Sequence, residues 1–201
     1  MLDQGQREAR LEAGQGRAED DNRERLALAS SAPSRVFRLS DMDVTLEETV
    51  VRLLLDRHAT LAVSESCTGG MVAERITSVA GSSACFEGGV VAYSNEAKTA
   101  LLGIDAGLIE EHGAVSRPVA EALAEGARFR FGSDFGVGIT GIAGPGGGSI
   151  DKPVGTVFVA LVFENGSLVN ELHLDGDRRQ IRELSCDAVM RMLIEQCSGV
   201  E

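Results

Sequence analysis

Leu61-Ala-Val-Ser-Glu-Ser-Cys-Thr-Gly-Gly70 is the stretch on which the fold turns. Its first part, Leu61 to Ser66, is a short apolar run of strand length. Cys67-Thr-Gly-Gly70 is a glycine turn, and residues 70 to 78 then read as a helix. A strand that passes through a glycine turn into a helix is the repeating unit of α/β sheets, and their ligands sit at such strand ends.

Upstream of this stretch, Thr45-Leu-Glu-Glu48 has the form of a capping box, and Leu46, Val50, Leu53 and Leu54 follow at helical spacing, so a helix is expected from Thr45 to about His58. Downstream, Phe86 to Tyr93 reads as a second strand containing Gly88-Gly89, followed by helical segments near 94 to 102 and 105 to 112. Ser116 is read as the cap of a longer helix, with Pro118 in its first turn and Val119, Leu123 and Ala127 on one face. Phe135 to Thr140 is a third strand, ending in the loop Gly141-Ile-Ala-Gly-Pro-Gly-Gly-Gly-Ser149. Gly155 to Phe163 and Ser167 to Leu174 should form a hairpin around Asn165-Gly166. Asp177 then caps a last helix whose Ile181, Leu184, Ala188 and Leu193 are expected to face inwards. This alternation predicts one α/β domain over residues 42–201, with a mixed sheet of about five strands covered by helices on both faces. Residues 1–41 are rich in Gln, Gly, Arg, Glu, Asp and Ser, and are expected to be a disordered extension.

Charge and composition narrow the function. Nineteen Lys and Arg against 31 Asp and Glu leave a net charge of -12, which repels a long phosphate backbone and argues against nucleic acid as a partner. A small anion remains compatible, because a few fixed donors in a pocket can oppose the global field. Cys67, Cys85, Cys186 and Cys197 form no CxxC pair, and neither they nor His58, His112 and His173 suggest a metal site, so reduced thiols and no metal are expected. No apolar run reaches the roughly 20 residues of a membrane helix, and the amino end carries no signal-peptide pattern; a cytoplasmic protein that does not touch the membrane is expected.

Lys98 and Lys152 are the two lysines among 19 cationic residues. Arginine keeps its proton in a protein, whereas a desolvated lysine can become a base, so both are candidates for chemistry. Hydroxyls and glycines concentrate in Ser64 to Gly70, Gly81-Ser-Ser-Ala84 and Thr140 to Gly148, and Tyr93-Ser-Asn-Glu-Ala-Lys98 holds the single tyrosine. Successive glycine amides can form an anion-binding nest. Amide hydrolysis needs a nucleophile, a base and donors for the oxyanion; Ser66, Ser83 and Ser94 are candidate nucleophiles with Lys98 as base, while neither SxxK nor GxSxG is present. Cys67 is a less favoured thiol nucleophile. Arg178, Arg179 and Arg182 crowd the start of the last helix, where cations oppose the helix dipole unless an anion, from a ligand or from Asp175 and Asp177, faces them.

Taken in order, the strings SESCTGG, GSSACFEGGVVAYSNEAK, HGAVS, TGIAGPGGG, KPVGTVFVAL and GDRRQIR resemble the C-terminal domain of the competence/damage-inducible CinA family in its stand-alone form, over about residues 45 to 198. The resemblance implies a three-layer α/β/α sandwich that needs no cofactor and hydrolyses nicotinamide mononucleotide (NMN) to nicotinic acid mononucleotide and ammonia without a metal. It further implies Ser83 as nucleophile, Lys98 as its base, Tyr93 and Ser66 assisting proton transfer or holding the amide, and Thr140 with following glycines Gly141, Gly144, Gly146 and Gly147 binding substrate. Thr68, Gly69, Arg179 and Arg182 complete the expected binding set. A homodimer is the expected assembly. The alternative is a non-catalytic nucleotide sensor acting in competence or DNA damage response, and a third reading is an amidase for another small amide.

Overall fold

The computed structural model describes residues 44–199, so the expected extension at 1–41 lies outside the described residues. Thr45 opens helix α1, Leu46–Asp56: its Oγ1 accepts from the Glu48 N–H at 3.3 Å, and the Glu48 carboxylate accepts from the Thr45 N–H at 2.9 Å. The elements then run β1 (Leu61–Glu65), α2 (Met71–Thr77), a 3₁₀ turn (Ser82–Ala84), β2 (Phe86–Val91), α3 (Asn95–Leu102), α4 (Ala106–His112), α5 (Arg117–Phe131), β3 (Phe135–Gly141), β4 (Thr156–Phe163), β5 (Gly166–His173) and α6 (Arg178–Ser198).

The five strands form one sheet in the order β2-β1-β3-β4-β5. β1 pairs parallel with both β2 and β3, while β3–β4 and β4–β5 are antiparallel. One face carries Leu61, Val63, Val137, Ile139, Val159 and Leu161 against α1, α2 and α6. Arg75 of α2 ties these three helices by ion pairs to Glu47 at 2.8 Å and Asp187 at 2.7 Å. The other face is covered by α5, with α3 and α4 packed against that helix. A Cβ on Gly136 or Gly138 would strike the Ala124 or Ala120 carbonyl of α5. Glycine in β3 therefore allows α5 to lie directly on the strand, while Val137 and Ile139 fill the opposite face. The domain is the expected three-layer α/β/α sandwich.

Three local expectations are corrected. The hairpin turns through Glu164-Asn165, since Phe163 pairs with Gly166, so Gly166 begins β5 and is not part of the turn. Ser116 occupies the N-cap position of α5, but its hydroxyl donates backward to the Gly113 carbonyl at 2.8 Å and leaves the helix amides uncapped. In α6 the buried face runs through Ile181, Ser185, Cys186, Val189, Met190 and Leu193; Leu184 is 42% exposed and Ala188 half-buried. A serine and a cysteine inside this face conceal its true angle from a pattern built on aliphatic residues alone. Leu184→Gln is accordingly expected to shift unfolding free energy by less than about 0.5 kcal/mol, as measured by urea titration.

Candidate active site

Because β1, β2 and β3 are parallel, the segments that follow them emerge on one edge of the sheet, and they enclose a cavity of about 210 Å³. Ser66, Cys67, Tyr93, Lys98, Thr140 and Arg178 line it. Lys98 lies on α3, whose first turn is fixed by the Ser94 side chain accepting from the Ala97 N–H at 3.1 Å. The lysine is 2% exposed, and Nζ donates to the Tyr93 and Ser94 carbonyls at 3.3 and 3.5 Å. Among the described residues no carboxylate lies within ion-pair distance of it. Loss of hydration lowers its pKa from the usual 10.5, against the opposing pull of Cys67 and Glu96.

The turn after β1 is organised by Glu65, whose side chain is buried. Its carboxylate accepts from the Gly70 and Val72 N–H at 2.9 and 3.1 Å through one oxygen, and from the Ala73 N–H at 2.8 Å through the other. Glu65 thus satisfies the amino end of α2 from below, and Gly69 and Gly70 take φ of +62° and +97° to close the turn above it. From α6, Arg182 grips the same turn, donating Nε and Nη2 to the Thr68 carbonyl at 3.2 and 2.6 Å. Arg182 therefore supports the site and does not present its guanidinium freely to a substrate.

Arg178 enters the cavity instead. Nη1 donates to the Gly144 carbonyl at 2.7 Å and Nη2 to the Tyr93 phenol oxygen at 2.9 Å. Arg179 lies outside the cavity lining and pairs with Glu183 at 2.7 Å along the helix surface. Neighbouring helix positions differ by about 100° in direction, and the sequence cluster of three arginines carried no sign of which one would turn inward.

Thr140 is buried, and its hydroxyl donates to the Ala114 carbonyl at 2.7 Å, so it offers the cavity an acceptor. Lys152 holds the same strap: Nζ donates to Val115 and His112 carbonyls at 2.7 and 3.2 Å. The second lysine thus fastens the loop that Thr140 touches, and it has no place in the cavity lining. Gly141 lines the cavity, Gly144 is buried beside it, and Gly146 and Gly147 lie exposed beyond it. The Thr68 hydroxyl is buried without a hydrogen-bond partner.

Cys67 also lines the cavity, but burial pushes its thiol up to about 11. A neutral thiol at physiological pH is a poor nucleophile, so Cys67→Ala is expected to keep at least about a third of wild-type kcat in any hydrolytic assay of this site.

Ser83 stands apart. It is exposed in the 3₁₀ turn that precedes β2, at the amino ends of the parallel strands, where Phe86 pairs with Leu61. The cavity lies beyond Glu65 and Val91, at the far end of the same ladder. Strand rise of about 3.3 Å per residue separates the two ends by on the order of 17 Å. Within one chain, then, the fold brings Ser66, Tyr93, Lys98 and Thr140 together and leaves Ser83 out.

These features define the class: a three-layer α/β/α protein with a small polar cavity at the carboxyl ends of parallel strands. The chain belongs to the CinA C-terminal domain family, whose model matches residues 43–197. It is 52% identical over 154 residues to a CinA-like protein of Acidobacterium capsulatum, covering 77% of this chain and 37% of that one. A CinA-like protein of Mycolicibacterium vanbaalenii is 54% identical over 155 residues, covering 77% and 36%. The chain thus spans well under half the length of these curated relatives. Among solved structures, the competence/damage-inducible protein CihA of Agrobacterium tumefaciens matches with 40% identity and a TM-score of 0.71, over 79% of this chain and 98% of that one. A CinA superfamily protein of Klebsiella pneumoniae matches with 32% identity and a TM-score of 0.74, over 76% and 96%.

Proposed function

We propose that this domain is a cytoplasmic amidohydrolase that converts NMN and water to nicotinic acid mononucleotide and ammonia. The observation that carries the reading is Lys98: a buried amine with no counter-ion among the described residues, facing a cavity lined by hydroxyls. Such an amine is driven toward its neutral form and can take a proton from a serine. In the reaction, a serine Oγ attacks the carboxamide carbon as its proton passes to Lys98; the serine is Ser83 supplied by a second copy of the chain, since its own lies outside the cavity, or Ser66, which lines it. The tetrahedral intermediate collapses with the amide nitrogen leaving as ammonia, taking that proton. Water then attacks the acyl-serine, restoring the hydroxyl and releasing the carboxylate.

The surrounding groups fit this sequence. The Tyr93 phenol accepts from Arg178 and retains its own proton to donate to a developing oxyanion. Thr140 offers an acceptor to a substrate N–H or hydroxyl, and Ser66 lies in the cavity to hold the amide. Arg178 supplies fixed positive charge for an anionic substrate against the net charge of -12. The test is ammonia release from NMN by the purified protein, with a chelator present and with Ser83→Ala and Ser66→Ala beside it. Turnover that ignores the chelator and disappears in Ser83→Ala is the expected result; retention in Ser83→Ala with loss in Ser66→Ala moves the nucleophile to Ser66. Ser83's distance from the cavity of its own chain favours one other reading, a sensor that binds the nucleotide without cleaving it, and NMN binding with no ammonia release would establish that instead.

A further inference from the structure

Between α4 and α5 the carbonyls of His112, Gly113, Ala114 and Val115 are each met by a side-chain donor. Lys152 Nζ donates to His112 and Val115 at 3.2 and 2.7 Å, Ser116 Oγ to Gly113 at 2.8 Å, and Thr140 Oγ1 to Ala114 at 2.7 Å. Among the described residues no backbone N–H donates to any of the four. Side chains therefore hold this strap, and its Ala114 and Val115 form one wall of the cavity. Lys152 is itself anchored in a closed turn: its N–H donates to Ser149 Oγ at 3.0 Å, and its carbonyl accepts from the Ser149 N–H at 2.8 Å. Among the described residues no carboxylate stands within ion-pair distance of its amine, so its charge is directed at the two strap carbonyls. Hydrogen bonds from an ammonium group are stronger than those between neutral groups. The consequence falls on Thr140. A threonine hydroxyl has one proton and two lone pairs; with the proton committed to the Ala114 carbonyl, only lone pairs are left for the cavity. A primary carboxamide brings N–H donors to such an acceptor, whereas a carboxylate of the same shape brings none.

We propose that Lys152 is a positioning residue for specificity: by fastening the 112–115 strap it holds Thr140 as an acceptor, so that the cavity prefers a carboxamide to the corresponding carboxylate. Without the lysine amine the His112 and Val115 carbonyls lose their donors and turn toward water. The Ala114 carbonyl between them then leaves the Thr140 hydroxyl, which is free to rotate and donate to a carboxylate. Amide and acid differ little in size, and a hydrogen-bonding site separates such ligands by leaving the wrong one unpaired. In a hydrolase the same preference expels the product, because cleavage replaces the group that donates to Thr140 with one that only accepts.

The choice of ligands rests on the amidohydrolase reading, but the preference is a property of binding and needs no turnover. The test is isothermal titration calorimetry of NMN and of nicotinic acid mononucleotide against a Lys98→Met parent, which removes the base and so holds NMN uncleaved. The parent should bind NMN at least about tenfold more tightly than the acid, the difference expected when a buried acceptor meets a donor in one ligand and a carboxylate in the other. Adding Lys152→Met should bring the two affinities within about threefold of each other. Adding Lys152→Arg instead, whose N–H groups can reach both carbonyls, should keep the preference. A lysine that served only stability would, when removed, weaken both nucleotides together and leave their ratio unchanged. A parent that does not prefer the amide, or an unchanged ratio in Lys152→Met, overturns the proposal. Should Lys152→Met fail to fold, Ser116→Ala releases the Gly113 carbonyl of the same strap and should lower the ratio in the same direction; an unchanged ratio there overturns it equally. Failure of the amidohydrolase reading alone would appear as these same ratios beside a wild type that releases no ammonia from NMN.

Discussion

Lys98→Met should lower kcat/KM for the amide substrate by about 10³-fold, within the range expected when a general base is removed, while making the domain more stable at neutral pH. Methionine fills much of the same space without a buried charge. The two effects have opposite signs and the same cause, which a purely structural lysine would not produce. Burial lowers the Lys98 pKa from its unfolded value near 10.5, so the folded state holds its proton less tightly than the unfolded chain does. Between the depressed folded pKa and 10.5 the unfolded chain binds more protons, and this group makes stability rise with pH across that window. Below the folded pKa the cost of the buried charge is present in full. Catalysis follows the same titration: the base acts when neutral, so kcat/KM should fall as pH drops through the Lys98 pKa. In Lys98→Met that acidic limb should be missing from the residual rate. Initial rates from pH 6 to 10, with thermal melts at the same pH values, read both effects.

Glu65→Ala is the substitution expected to cost the most stability. It strips the acceptor from three N–H groups at the start of α2, on Gly70, Val72 and Ala73, and leaves them facing a small cavity below the turn. Each unsatisfied buried donor costs about 1–3 kcal/mol. With partial relaxation the total should be about 3–5 kcal/mol, a fall in Tm on the order of 10 °C for a domain of this size. Activity should fall as well, because the turn that Glu65 supports carries Ser66 and Cys67 into the cavity. Glu65→Gln keeps one acceptor oxygen but places an NH₂ among N–H donors, so roughly half of the stability loss should remain. Differential scanning calorimetry of the two variants separates the hydrogen-bonding contribution from simple loss of volume.

Glu65 also shows why the sequence did not reveal the whole site. It stands in an apolar run, where a carboxylate looks like an outward-facing strand residue, and its partners are backbone amides five to eight residues ahead. Backbone amides have no signature in a sequence, so neither the capping role nor the burial could be read. Lys98 was legible for the opposite reason: in a chain that carries most of its positive charge on arginine, a lysine stands out. Arg178 and Arg179 were equivalent on paper, and a rotation of one helix position set one against Tyr93 and the other against Glu183.

The order and kind of the elements are legible from local sequence alone. Capping at Thr45 and Asp177, glycine turns, and the apolar runs of β1, β3 and β4 are local properties, and they placed helices and strands close to where they stand. Lys98, Tyr93, Ser66 and Thr140 follow as residues near the ends of parallel strands, since a parallel sheet delivers all such ends to one edge. Which face α6 buries, which arginine enters the cavity and the placing of Ser83 at the other end of β2 emerge only on folding. Each of these depends on a direction or a distance in space. Spacing along the chain carries neither once an extended strand has taken two residues of one motif to opposite edges of a sheet.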